Sequence, residues 1–206
     1  MATARAIADR LIPGETISSE VLRLAAANLL LVLCAQVSIP HPWSPVPFTL
    51  QTFGVTLIAV LLGARRGALV MAAYLAEGAM GLPVFNPYGL PGAARLLGPT
   101  AGYLWAYPAA TFLTGWISER INWRDASAKL RGTRQLAIAA LAGHALILLS
   151  GGAWIALVLA QGWGRGFAAG VAPFLLDALL KTAMVVAVAR AFARLRPDAV
   201  AAGSTS

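Results

Sequence analysis

Residues 81–107 read GLPVFNPYGLPGAARLLGPTAGYLWAY. The stretch lies between two long apolar runs and carries Pro83, Pro87, Pro91 and Pro99 together with Gly89, Gly92, Gly98 and Gly102. Backbone this rich in Pro and Gly leaves amide and carbonyl groups unpaired, and hydrocarbon offers them no partner. The stretch is therefore a loop at a membrane surface or the lining of a cavity. It also holds Asn86 and Arg95, polar groups of the kind a ligand site needs. It reads as one wall of a small-molecule site.

The flanking chain sets the membrane context. Of 206 residues, 59% are apolar and 12% charged, too apolar for a soluble domain of this length. Hydropathy places six membrane-spanning helices, near Val21–Ile39, Phe48–Leu62, Ala68–Leu82, Pro99–Ser118, Leu136–Leu159 and Phe167–Phe192. The longer runs suffice to cross ~30 Å of hydrocarbon at about 1.5 Å per residue. The expected fold is an all-α, polytopic membrane protein with one integral membrane domain over residues 1–206. Residues 1–20 form a cytoplasmic N-terminal segment, 21–193 the six-helix core and 194–206 a polar tail. Asp9, Glu15 and Glu20 argue against a signal peptide. GARRG, residues 63–67, reads as a tight turn, and QGWGRG, residues 161–166, as a brief loop. Pro99 is expected in the first turn of the fourth span.

An even number of spans puts both termini on one side. The termini, the GARRG turn and the Glu119–Gln135 loop carry thirteen basic residues, against Arg95 and Arg165 on the other side. The positive-inside rule makes the richer side, and so both termini, cytoplasmic. The expected location is the cytoplasmic (inner) membrane, within the lipid bilayer. The same distribution accounts for the net charge of +8 without nucleic acid, because the cations sit in short segments between spans and not along one polar face.

Within the spans, Asp177 and Lys181 stand four apart and share a helix face. Each charge near mid-membrane costs about 2.5–3.5 kcal/mol on insertion scales, so the pair is either a self-neutralising structural contact or a ligand contact. Arg95 is either a solvated loop charge or a counter-ion for an anionic group. Gln51, with Thr49, Asn28 and Gln36, supplies neutral hydrogen-bonding groups. Glu77 has three open assignments, as a partner of Lys181, as a partner of Arg95, or at a wet helix end. Cys34, the one cysteine, reads as a buried packing residue. Enzyme signals are poor. His144 and Ser150 are six apart without a G-x-S-x-G motif, so His144 reads as a helix-packing residue. No metal-ligating or catalytic motif stands out, and no G-x-x-x-x-G-K-[ST] is present to bind ATP.

Four stretches together resemble the biotin transporter BioY family. They are VSIPHPWSPVPFTLQTFGVTLIAVLLGARRGAL at residues 37–69, YLAEGAMGLPVF at 74–85, LLGPTAGYLWAYPAATFLTGW at 96–116 and APFLLDALLK at 172–181. The resemblance implies the substrate-binding S component of an energy-coupling factor (ECF) transporter: six membrane helices, a vitamin held near the outer face, and no enzyme activity. The partners it implies are a transmembrane coupling subunit and cytoplasmic ATPase subunits, so that ATP is used by them and no cofactor by this chain. A solitary or homo-oligomeric carrier working without an ATPase is the alternative, and an intramembrane enzyme or a ligand-free structural subunit are further rivals.

With biotin as the implied ligand, Asp177 accepts from a ureido N–H, Lys181 donates to the ureido carbonyl, and Asn86 can do both. Phe85, Tyr103 and Trp105 are expected as apolar walls, and Arg95 as the partner of the carboxylate; in the reversed pose Lys181 takes the carboxylate. The family's acid and lysine are usually three apart, whereas here they are four apart, with Ala178 at the usual acid position. The A-x-x-x-A pattern by which S components often dock a coupling subunit is not formed within the first span by Ala25, Ala26, Ala27 and Ala35.

Overall fold

A computed structural model describes residues 17–121, 129–159 and 161–194. The first sixteen residues of the N-terminal segment, residues 122–128 of the loop read as cytoplasmic, and the tail beyond Arg194 lie outside the described residues. The described chain is mostly helical: α1 Ile17–Gln36, α2 Gln51–Leu62, α3 Ala64–Ala79, α4 Ala101–Ser118, α5 Lys129–Leu157, α6 Gly162–Gly170 and α7 Leu175–Arg194. Three segments, Ile17–Gln36, Arg131–Leu157 and Gly162–Phe192, are long and apolar enough to cross a membrane, and α2 is a shorter apolar helix.

The packing is that of a protein in lipid. Leu22, Leu29 and Leu33 on α1, and Leu175, Leu176, Leu179 and Leu180 on α7, are exposed, while Gln51, Thr56, Thr111, His144, Lys181 and Thr182 are buried. Exposed apolar surface of this extent marks contact with membrane. Between helices, small residues permit close approach in place of a hydrophobic driving force. A Cβ on Gly143 of α5 would come within 2.2 Å of Thr114 Oγ1 on α4, and one on Gly102 of α4 within 2.3 Å of Trp154 on α5. Ser150 Oγ donates to Gly102 O at 2.7 Å across the same seam.

Contacts between distant segments define two ends of the bundle. At one end, Arg66 Nε lies 2.6 Å from Glu20 Oε1, joining the starts of α3 and α1. Glu119, just past α4, accepts from the Ala64 amide at 2.7 Å and so caps α3. At the other end, Gln36 Nε2 donates to Phe85 O at 3.1 Å, and Trp154 Nε1 to Gly98 O at 3.0 Å.

Three local expectations are corrected. The turn between α2 and α3 is Gly63 alone, with φ 81°, and Arg65 and Arg66 already belong to the first turn of α3. The glycine-rich segment after α5 forms α6; the sixth span is interrupted at Pro173, as that proline in the sequence indicates, by a short 3-10 turn, Ala172–Phe174, between α6 and α7. Pro173 sits in that turn, where its missing N–H interrupts no helix. Pro99 stands before α4, which starts at Ala101. Residues 40–47, PHPWSPVP, form a proline-rich loop, and β1 Ser38–Ile39 pairs antiparallel with β2 Phe48–Thr49 at its base.

Candidate functional site

Beneath the loops that contain Val46, Pro47 and Asn86 lies a narrow cleft that opens to the outside. Its polar wall is formed by Gln51, Asn86, Tyr103, His144, Asp177 and Lys181, and its apolar wall includes Leu104, Leu148 and Phe174. A mostly apolar cleft with a few convergent polar groups is the usual form of a small-molecule site. The structure thus brings Gln51, Thr49, Asn86, Tyr103, Asp177 and Lys181 together and leaves Arg95, Phe85 and Trp105 outside the lining.

Lys181 is the centre of the polar wall. Its Nζ donates to Thr49 O, to Thr52 Oγ1 at 3.1 Å and to Asp177 Oδ2 at 2.6 Å. All three ammonium protons are therefore directed at protein acceptors, and the contacts tie α7 to the start of α2. The four-residue spacing of Asp177 and Lys181 suits an ion pair along one helix, with the Lys side chain 5% exposed and the Asp side chain 25% exposed. The second Asp177 oxygen has no hydrogen-bond partner among the described residues. Gln51 is fixed at the top of α2 by donating to Tyr74 Oη at 2.7 Å, and Tyr74 donates onward to Val84 O at 3.0 Å. Tyr103 fills the notch at Gly151, and its hydroxyl donates to Gly170 O at 2.5 Å. One edge of the ring faces Phe174, with centroids 6.3 Å apart.

Asn86 is held by its oxygen. Oδ1 accepts from the Tyr88 amide at 3.1 Å and from Arg95 Nη1 at 3.3 Å, which fixes the amide orientation. The amide nitrogen has no protein partner among the described residues.

Arg95 is buried at 5% exposure, but by its own loop. It donates to Leu90 O at 2.9 Å, to Asn86 O at 2.8 Å and to Tyr88 O, besides Asn86 Oδ1. Gly89, at φ 115°, lets the loop close on the guanidinium, since a Cβ there would lie 2.7 Å from Nη1. Burial lowers the pKa of the guanidinium from its ordinary value, with Tyr74 opposing; arginine nevertheless stays cationic at biological pH. Here Arg95 organises residues 86–90. Phe85 packs in the notch at Gly78 and edge-on to Tyr74, 5.4 Å between centroids. Trp105 faces outward, 52% exposed, and donates to Leu96 O. Glu77 pairs with neither basic residue and accepts from Asn28 Nδ2 at 2.5 Å.

His144, Thr52 and Phe174 line the cavity without having been assigned there in sequence. An imidazole in the middle of an otherwise apolar helix was the one available signal for His144. For Thr52 the signal was the polar start of a short second span, Thr49, Gln51 and Thr52, which suits a cavity better than lipid; for Phe174 the chain offered none, because its role depends on how α2 and α7 meet.

A profile of the BioY family matches residues 8–198. The chain belongs to the BioY family. It is 34% identical over 172 residues, 84% of this chain and 94% of the relative, to a probable biotin transporter BioY of Pyrococcus horikoshii. It is 34% identical to the biotin transporter BioY of Rhizobium etli, over 71% of this chain and 78% of that one. Among solved structures it resembles the S-component for biotin from an ECF-type ABC transporter, with a TM-score of 0.69 and 26% identity over 89% of this chain and 95% of that one. This BioY chain is a membrane transport protein and not an enzyme.

Proposed function

We propose that the chain captures biotin and mediates its uptake as the S component of an ECF-type transporter. The observation that carries this reading is the cavity itself, where Lys181, Asp177, Asn86, Gln51 and Tyr103 converge beneath the loops in a protein whose relatives are named biotin transporters. The ureido ring combines two N–H donors with one carbonyl acceptor. Asp177 accepts from an N–H, Asn86 Nδ2 and Lys181 serve the carbonyl, and Tyr103 packs against the apolar body. Arg95 acts by holding the Asn86 loop.

In this reading helices α1 to α5 and the α6–α7 unit cross the cytoplasmic membrane as six spans. The bundle end that gathers Arg23, Arg66 and Arg120 faces the cytoplasm, together with both termini, and the cavity faces outward. Energy comes from ATP hydrolysed by cytoplasmic ATPase subunits through a transmembrane coupling subunit.

The test is calorimetric titration of biotin into the purified chain in detergent, with Lys181→Met alongside. Saturable binding by the native chain, weakened at least tenfold in Lys181→Met, is expected. A folded native chain that gives no binding heat refutes the assignment of biotin.

A further inference from the structure

Position 144 is the one imidazole inside the helical core, on α5, and it is 3% exposed. Its Nδ1 lies 2.9 Å from Ala140 O, one turn back on the same helix. A carbonyl only accepts, so Nδ1 carries the proton and the neutral ring has its lone pair on Nε2. Thr182 Oγ1, 3.3 Å from Nδ1, lies on the same protonated side. Nε2 is buried and has no hydrogen-bond partner among the described residues. His144 nonetheless lines the cavity that Asp177 and Lys181 line. A buried acceptor without a donor is unfavourable, and hydrocarbon cannot relieve it.

The other groups on this wall show what is missing. Lys181 directs its three protons at Thr49, Thr52 and Asp177. Gln51 Nε2 donates to Tyr74, and the Tyr103 hydroxyl donates to Gly170. None of these donors is turned toward His144. Among the described residues, the groups on the cavity lining that can accept and have no donor include His144 Nε2, one oxygen of Asp177 and the Thr100 hydroxyl; of these only His144 Nε2 and the Asp177 oxygen are acceptors alone. A ligand with two N–H groups held by one carbonyl matches two such acceptors.

We propose that His144 is a specificity-determining residue whose Nε2 accepts a hydrogen bond from one ureido N–H of the ligand. This rests on the biotin reading of the site. The protonated Nδ1, anchored on Ala140, fixes the tautomer so that Nε2 presents only a lone pair. The site then rejects any ligand that places an alkylated nitrogen or an oxygen at that point.

The experiment titrates biotin, and biotin methylated at one or the other ureido nitrogen, into the native chain and into His144→Phe, His144→Gln and His144→Asn. Phe keeps a ring without the acceptor, Gln can place an oxygen near the Nε2 position, and Asn reaches only the Nδ1 position. Loss of one buried hydrogen bond predicts about tenfold to hundredfold weaker biotin binding in Phe and Asn, largely restored in Gln. One methylated isomer should bind the native chain weakly and lose nothing further in His144→Phe. The ligand-free thermal midpoint of His144→Phe should change little, because removal of an unpaired acceptor offsets the loss of the Nδ1–H bond to Ala140 O. Native-like biotin affinity in His144→Phe, or an equal further loss for biotin and both methylated isomers, overturns the role of His144 and leaves the biotin reading standing. Absence of biotin binding by the folded native chain overturns both.

Discussion

The position of Arg95 separates two mechanisms that a simple loss-of-function result would confuse. The guanidinium makes four hydrogen bonds to residues 86–90, three of them to backbone carbonyls. Arg95→Lys keeps the charge but cannot reproduce the planar fork, and it loses at least two of those bonds. At about 1 kcal/mol net for each bond, the loop that presents Asn86 is destabilised by about 2 kcal/mol. If binding requires that loop in place, biotin affinity falls by up to about 30-fold. Arg95→Gln loses at least as much. Because the effect acts through the loop, it should be the same for biotin and for biotin methyl ester, which lacks the carboxylate. Calorimetry of both ligands against native, Arg95→Lys and Arg95→Gln chains gives the comparison. A loss in Arg95→Gln that disappears with the methyl ester, with Arg95→Lys close to native, would refute the clamp and return Arg95 to direct carboxylate contact.

Three further outcomes are expected. Removing Lys181 leaves the Asp177 carboxylate without its partner, and Lys181→Met should cost about 3 kcal/mol, the lower end for a broken buried pair because Asp177 is a quarter exposed. Asp177→Asn combined with Lys181→Met should cost less than the two changes summed, as thermal unfolding in detergent would show. Gly143→Leu forces a side chain against Thr114 on α4 and should destabilise by about 1–3 kcal/mol, with partial recovery on adding Thr114→Ala. Gly63→Ala places a Cβ at φ 81° and should lower stability by about 1 kcal/mol without changing biotin affinity.

Hydropathy exposed most of the helices, because lipid leaves few alternatives to a continuous apolar helix. It failed at α6, where Gly162, Gly164, Gly166 and Gly170 imitate a loop. Two of these glycines serve packing: a Cβ on Gly166 would meet Gly152 O at 2.6 Å, and one on Gly170 would meet Gly152 Cα at 2.9 Å. Composition cannot distinguish a glycine needed for a turn from one needed for contact. The Asp177–Lys181 pair was legible because its partners are one helical turn apart. The employment of Arg95 was not, since its acceptors are carbonyls that converge only once residues 86–90 have closed. The pairing of Glu77 with Asn28 depends on two residues 49 positions apart, and no local pattern announces it. His144 read as a helix-packing residue, and only the fold shows that Nδ1 alone is satisfied while Nε2 lacks a partner among the described residues.

The wall also ranks the contacts a ligand can make. A carbonyl that approaches Lys181 must take a proton from Thr49 O, Thr52 Oγ1 or Asp177, so it gains only the difference between two hydrogen bonds. An N–H that reaches an acceptor without a donor gains nearly a whole bond and relieves a buried unpaired group. Under the proposed function, selectivity for the ureido ring therefore arises more from its two N–H groups than from its carbonyl, even with that carbonyl at Lys181. Lys181 then has two tasks with one ammonium group: it offsets Asp177 within the membrane, and it fastens α7 to the β2–α2 junction at Thr49.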